Sequence, residues 1–185
     1  MKFNEHYDLK GLHAYLGASK YHWINYDEAK LKTSYNNWLA AERGTRLHNL
    51  AAELIELGIK LESRSKRTLN LYVNDAISYV MTPEQVLYYS ENCFGTADAI
   101  CFRDDFLRIH DFKSGTTPAH MEQLIIYAAL FCLEYLVKPE EIGNELRIYQ
   151  NNEYIVYNAP PEEIRAVMNK IIKFDKIISK IKQEV

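Results

Sequence analysis

Residues 94–115 read FGTADAICFRDDFLRIHDFKSG. Two apolar runs flank the polar pair Asp104-Asp105, the pattern of two antiparallel strands joined by a tight turn. Each run carries one carboxylate among apolar neighbours, Asp98 in the first and Asp111 in the second. With Asp104-Asp105 as a two-residue turn, Arg103 lies opposite Phe106, and counting back puts Asp98 opposite Asp111. Directly opposed residues have Cβ atoms roughly 4.5–5.5 Å apart. Two carboxylates that close repel unless a proton or a cation comes between them. Lys113 follows Asp111 by two positions and shares its face of the strand, whereas His110 points the other way. A hard divalent cation held by oxygen ligands, with a lysine beside it, is the economical explanation. Asp-Asp is not the preferred Asn-Gly turn, and a four-residue loop with the same centre would give the same opposition.

Working outward, QVLYYS reads as a strand before this hairpin, and TLNLYVNDAISYVM as a helix that ends before Pro83. The basic loop ESRSKR, with Arg64, Lys66 and Arg67, precedes that helix. From about Ser34 to Leu57 the apolar spacing is helical and Gly58 stands at the stop. Gly44 interrupts this stretch, so one helix or two are both open. Residues 1–35 read as loop, a short helix capped near Ser19, and loop. After the hairpin, MEQLIIYAALFCLEYLV is apolar nearly all round, as a helix buried against a sheet would be. ELRIYQ and EYIVYN form a second hairpin about Asn151-Asn152. Pro160-Pro161 opens a last helix with an apolar stripe from Ile164 to Ile181 and a lysine-rich solvated face.

The 185 residues predict one domain: a helical part over 1–82, a sheet-helix core over 84–158 and a closing helix over 160–183. The fold class is mixed α/β (α+β), a small mixed central sheet flanked by helices. A net charge of −3 requires any basic surface for a polyanion to be local. No apolar run reaches transmembrane length, since IIYAALFCLEYLV is short and broken by Glu134. MKFNEHYDLK lacks the apolar core of a signal peptide, which makes the expected location cytoplasmic. Cys93, Cys101 and Cys132 read as inert thiols, and three cysteines are too few for a standard iron–sulfur cluster.

GTADAI, HDFKSG and QLIIYAA in this order resemble the PD-(D/E)XK nuclease superfamily, in its RecB-like and phage-type exonuclease branch. The resemblance spans roughly residues 44–130. It implies a restriction-endonuclease-like core. Asp98 matches the first metal-binding acid, and Asp111-Phe112-Lys113 the second acid, spacer and catalytic lysine. Gln123 and Tyr127 match the polar pair on the following helix. RGTRLHNLAAE resembles the branch's Gly-x-x-x-His helix, which would set His48 beside the metal. LGASKYHWIN resembles the amino-terminal segment of phage-type members. Asp111 stands where many relatives have Glu, and the pattern admits either.

The implied protein is an Mg²⁺- or Mn²⁺-dependent deoxyribonuclease, an exonuclease of phage or prophage recombination or repair, with one or two ions and no iron–sulfur cluster. Its partner would be DNA, with duplex ends as substrate and a single-strand annealing protein as a further partner. The expected metal set is His48, Asp98, Asp111 and the Phe112 backbone carbonyl. The catalytic set is Asp98, Asp111, Lys113, Gln123 and Tyr127. Gln123 and Tyr127, spaced i, i+4, share a helix face and could touch phosphate together. Arg43 and Arg46 flank the start of the His48 helix and are the expected phosphate contacts. Tyr21, Trp23 and Tyr26 either pack the amino-terminal segment or stack on an unpaired end. His6, His13, His22, His110 and His120 receive no role. Two other readings compete: a nicking or structure-specific endonuclease of the same fold, and a non-catalytic DNA-binding module. The bland reading of Lys113 is a salt bridge to Asp111, and that of His48 an ordinary hydrogen-bonded histidine.

Overall fold

The structure, a computed structural model, describes residues 7–9 and 11–184, so His6 lies outside it. The chain forms two compact units that meet in sequence between Arg43 and Gly44.

In the amino-terminal unit two 3₁₀ turns, Tyr7–Leu9 and Ala18–Asn25, lead into helix α1, Glu28–Glu56. The expected short helix is the second of these turns, with Gly17 and not Ser19 before it and no side-chain cap. Helix α1 starts six residues earlier than its apolar spacing does. Asp27 Oδ1 accepts the Lys30 N–H at 2.7 Å, and this cap sets the start. Tyr15 packs edge-on against Tyr35 and tilted against Trp38, with centroids 5.0 and 5.7 Å away. Trp23 Nε1 donates to the Gly17 carbonyl, while Tyr21 is exposed.

The second unit carries the rest of α1, then α2 (Thr68–Ser78), β1 (Thr82–Ser90), β2 (Cys93–Arg103) and β3 (Phe106–Phe112). Helix α3 (Glu122–Glu134), β4 (Gly143–Gln150), β5 (Glu153–Tyr157) and α4 (Pro161–Gln183) complete it. Gly44 does not break α1, which runs on until Gly58 takes a φ of +67°. There the Gly58 and Ile59 N–H groups close back on the Ile55 and Leu54 carbonyls.

The five strands form one mixed sheet in sequence order. All neighbours are antiparallel except β3 and β4, which run parallel across the α3 crossover. Asp104 and Asp105 both have positive φ, 51° and 55°, and Arg103 pairs with Phe106. The hairpin therefore turns on two left-handed residues despite lacking a glycine, as does Asn151-Asn152.

Helices cover both faces. Leu87, Ile100, Leu107, Ile109, Leu146 and Ile148 pack under α3 and α4, with Leu124, Ala128 and Ile164 among their partners. Ala99, Phe112 and Tyr149 pack against α1 and α2 through Ala51, Ile55, Tyr72, Val73 and Ala76. Each large aliphatic side chain buried here contributes about 1.5–3 kcal/mol. The last turns of α4 leave Phe174, Ile177, Ile178 and Ile181 exposed, so the apolar stripe is buried only in its first half. Among the described residues no helix is long and apolar enough to cross a membrane.

Two helix ends are strained. Val80 after α2 and Leu136 after α3 hold left-handed φ values of 53° and 56°, and their side chains are 64% and 90% exposed. Neither side chain has much packing to lose, and glycine adopts this conformation without a Cβ clash. Val80→Gly and Leu136→Gly should each raise unfolding stability by about 1 kcal/mol. Urea titration checks this, and a lower midpoint in both variants would contradict it.

Candidate metal centre

The β2–β3 ladder holds the expected count from Arg103↔Phe106 to Ala99↔His110, and the pairing ends there, one residue short of Asp98 and Asp111. The β1–β2 ladder pairs Pro83 with Ala99 and Gln85 with Ala97, and the position between them sets Glu84 against Asp98. Glu84 and Asp98 are thus neighbours across β1 and β2, and Asp111 on β3 lies close enough for the Asp98 charge to act on its carboxyl. Strict alternation breaks at Asp98: Ala97 and Ile100 both belong to the core under α3, and Ala99 to the core on the other face. Glu84 has a left-handed φ of 49° at the same level.

From the α1 side, His48 Nδ1 lies 3.4 Å from Asp98 Oδ2. The His48 ring packs on Phe112, with centroids 5.2 Å apart. Asp98 Oδ2 also accepts the Phe112 N–H at 2.8 Å. A strand residue's C=O points to the same side as its own N–H, so the Phe112 carbonyl is turned toward β2 as well. Gly44, one helical turn before His48, faces Ser114: a Cβ there would stand 3.0 Å from Ser114 Oγ. Ligand atoms of His48, Glu84 and Asp98 all lie within 4.8 Å of one another.

From the α3 side, Lys113 Nζ donates to Asp111 Oδ1 at 3.1 Å and to Gln123 Oε1 at 3.0 Å. Gln123 Nε2 in turn donates to Tyr127 Oη at 3.2 Å. Tyr127 lies over Gly95, where an added Cβ would come 2.9 Å from its Cε1. Any side chain at 95 would displace the ring. Asp111 is 1% exposed, and its Oδ2, although 3.0 Å from Lys113 Nζ, accepts no hydrogen bond among the described residues.

The electrostatics follow from this crowding. Burial raises the Asp111 carboxyl above its ordinary 3.8, and the Asp98 charge adds to the rise. Burial, then Asp98, does the same to Glu84. The hydrogen bond to Asp98 raises His48, against the desolvation that opposes it. Glu84, Asp98 and His48, two acids and one imidazole, form a donor set that fits a divalent cation, while the expected ligand Asp111 is not in that group and pairs with Lys113 instead. They bring no thiolate.

Of the expected residues, His48, Asp98 and Phe112 form one contact group and Asp111, Lys113, Gln123 and Tyr127 a second, adjoining along β3 through Phe112. Arg46 is exposed and two residues before His48, on the opposite side of the helix. Arg43 belongs to the amino-terminal unit. His110 lies on the α2 face, away from the partners of Asp111. Two site residues escaped the sequence reading. Glu84 did because Pro83 made the strand seem to start at Gln85, although β1 is an edge strand that tolerates proline. Counting back from the turn would not have found it either, because the register shifts between Tyr88 and Ser90 and a count from Ser90↔Cys93 sets Gln85 opposite Asp98. Tyr72 on α2 stacks on Phe112 with centroids 5.4 Å apart. Burial, and then the charges of Asp98, Glu84 and Asp111, hold its hydroxyl well above the usual tyrosine range.

A scan against protein-family models and a search of curated proteins return no match to this chain.

Asp111 and Glu84 keep protons in the folded chain at pH values where the unfolded chain has lost them, and His48 likewise above its ordinary 6.5. The stability from each is present below its unfolded pKa and is lost as pH rises through its folded pKa. A bound cation replaces those protons. The rise in Tm on adding Mn²⁺ should therefore be several degrees larger at pH 8 than at pH 5.5. Differential scanning fluorimetry measures it, and an equal or smaller shift at pH 8 would contradict the site.

Proposed function

We propose that this protein is a divalent-metal-dependent deoxyribonuclease of the PD-(D/E)XK type, acting from DNA ends. The observation that carries this reading is the buried Asp111 carboxylate, bonded to Lys113 and close enough to the His48, Glu84 and Asp98 group to feel the Asp98 charge. Metal storage alone would not need an ammonium beside the ligand group, whereas phosphodiester hydrolysis does. A divalent cation, Mg²⁺ or Mn²⁺, bound by Asp98, Asp111 and His48 would activate a water and neutralise charge on the phosphate. Glu84 would complete the donors on the β1 side.

Lys113 supplies the protein's own chemistry. With Asp111 and Gln123 taking two of its donor directions, its third is free to meet a phosphate oxygen or the attacking water. For the base role its proton must leave, which a nearby cation favours. Gln123 fixes the ammonium, and Tyr127 fixes Gln123, so the donor is oriented before substrate arrives. Gly95 leaves the space in which Tyr127 does this.

Digestion of linear and closed circular DNA with and without Mn²⁺ tests the reading. Linear DNA should be degraded only with the cation, and circles should persist. Equal cleavage of circles would favour the endonuclease reading. No cleavage with any divalent ion would remove the activity and favour the non-catalytic DNA-binding module. Asp111→Ala and Lys113→Ala should each lower kcat at least about 10³-fold. Gly95→Ala, by moving Tyr127, should lower it about tenfold. Full activity in Lys113→Ala would refute its role.

A further inference from the structure

On the sheet face opposite Lys113, a buried polar cluster joins β3 and β4 to α2. Tyr149 is fully buried, and its hydroxyl donates to Asp75 Oδ2 at 2.7 Å. Arg147 Nη1 reaches the same Asp75 oxygen at 3.1 Å and the Tyr149 hydroxyl at 3.4 Å. Arg147 Nη2 donates to Tyr79 Oη and to Glu145 Oε2. His110 Nδ1 lies 3.4 Å from the Tyr149 hydroxyl. A side chain tied at its tip to an aspartate oxygen and an arginine cannot turn or slide.

Two contacts lead from Tyr149 to the site. Lys113 is the first residue past β3, and its N–H donates to the Tyr149 carbonyl at 2.9 Å. The Tyr149 ring also packs edge-on against Tyr72, centroids 5.5 Å apart, and Tyr72 stacks on Phe112, which backs His48. One residue thus supports the backbone of the lysine and the ring behind the imidazole.

We infer that Tyr149, held by Asp75 through its hydroxyl, is a positioning residue that fixes Lys113 and His48 from the far side of the sheet. This rests on the nuclease reading for its kinetic consequence but not for its geometry. Removing the hydroxyl frees the ring while leaving the strand pairing in place. The main-chain acceptor of Lys113 and the aromatic stack then lose their fixed point.

The test compares Tyr149→Phe and Asp75→Asn with the wild-type chain in three measurements. Amide hydrogen exchange should rise about tenfold at Lys113 while Leu107, Ile109 and Leu146 in the same strands stay as protected as before. Mn²⁺ affinity by calorimetry should fall severalfold. With saturating Mn²⁺, kcat on linear DNA should fall about tenfold with KM unchanged. Asp75→Asn, whose site is half-open to solvent, gives the answer if Tyr149→Phe does not fold. Wild-type exchange at Lys113, or a rise spread evenly over β3 and β4, would overturn the inference. If the wild-type chain cleaves nothing, the nuclease reading fails alone, and exchange with Mn²⁺ affinity still decides the positioning role.

Discussion

The two-residue turn at Asp104-Asp105 fixes the register of β2 on β3 as far as Ala99↔His110, and that register brings Asp98 and Asp111 to the same end of the two strands. The β1 register adds Glu84 at the same level. A slip of one residue in either ladder would send each side chain to the opposite face. It would also bury a carboxylate in one of the apolar clusters, so the hydrophobic pattern and the acidic group enforce each other. Holding three like charges together costs free energy that the apolar packing of the sheet must offset. The raised carboxyls of Glu84 and Asp111 are the visible sign of that cost.

A break in strand alternation at Asp98 accompanies its contacts with both a neighbouring strand and a helix. Ala97 and Ile100 face the α3 core and Ala99 the α2 core, so the strand is irregular at Asp98. The Asp98 carboxylate takes the Phe112 N–H from the neighbouring strand and faces His48 from α1. Asp111, one strand over, keeps regular alternation and meets Lys113 and the polar residues of α3. The centre is assembled from two chemically different halves: an imidazole half backed by aromatic rings, and an ammonium half backed by an amide and a phenol.

The parts of this arrangement legible in the sequence were those set by local pattern. The period-two runs on either side of Asp104-Asp105 gave the hairpin and its register as far as Ala99↔His110. The i, i+4 spacing gave Gln123 and Tyr127 a common helix face. What the sequence concealed depends on longer range or on single backbone angles. Glu84 is brought in by pairing of a strand that includes a proline. Tyr72 reads as one more aromatic in a helix until the sheet brings Phe112 beneath it. The start of α1 was set by the Asp27 cap, which the apolar period does not register. Arg46 was placed near the site by its sequence distance from His48, but a helix turns about 100° per residue and carries it to the other side.

Charge balance ties the two halves together. Three carboxylates and one ammonium leave two negative charges in the group when His48 is neutral. One divalent cation cancels them. A second would leave the site strongly positive until an anionic group arrived, and a phosphodiester supplies a negative charge of the required sign. On the nuclease reading, occupancy by a second ion is therefore coupled to substrate, and the empty site favours one ion. The same count accounts for the Lys113–Asp111 bond. An ammonium free of its acid would repel the first cation, whereas one engaged with Asp111 and Gln123 lowers the charge of the group without filling the space between the acids.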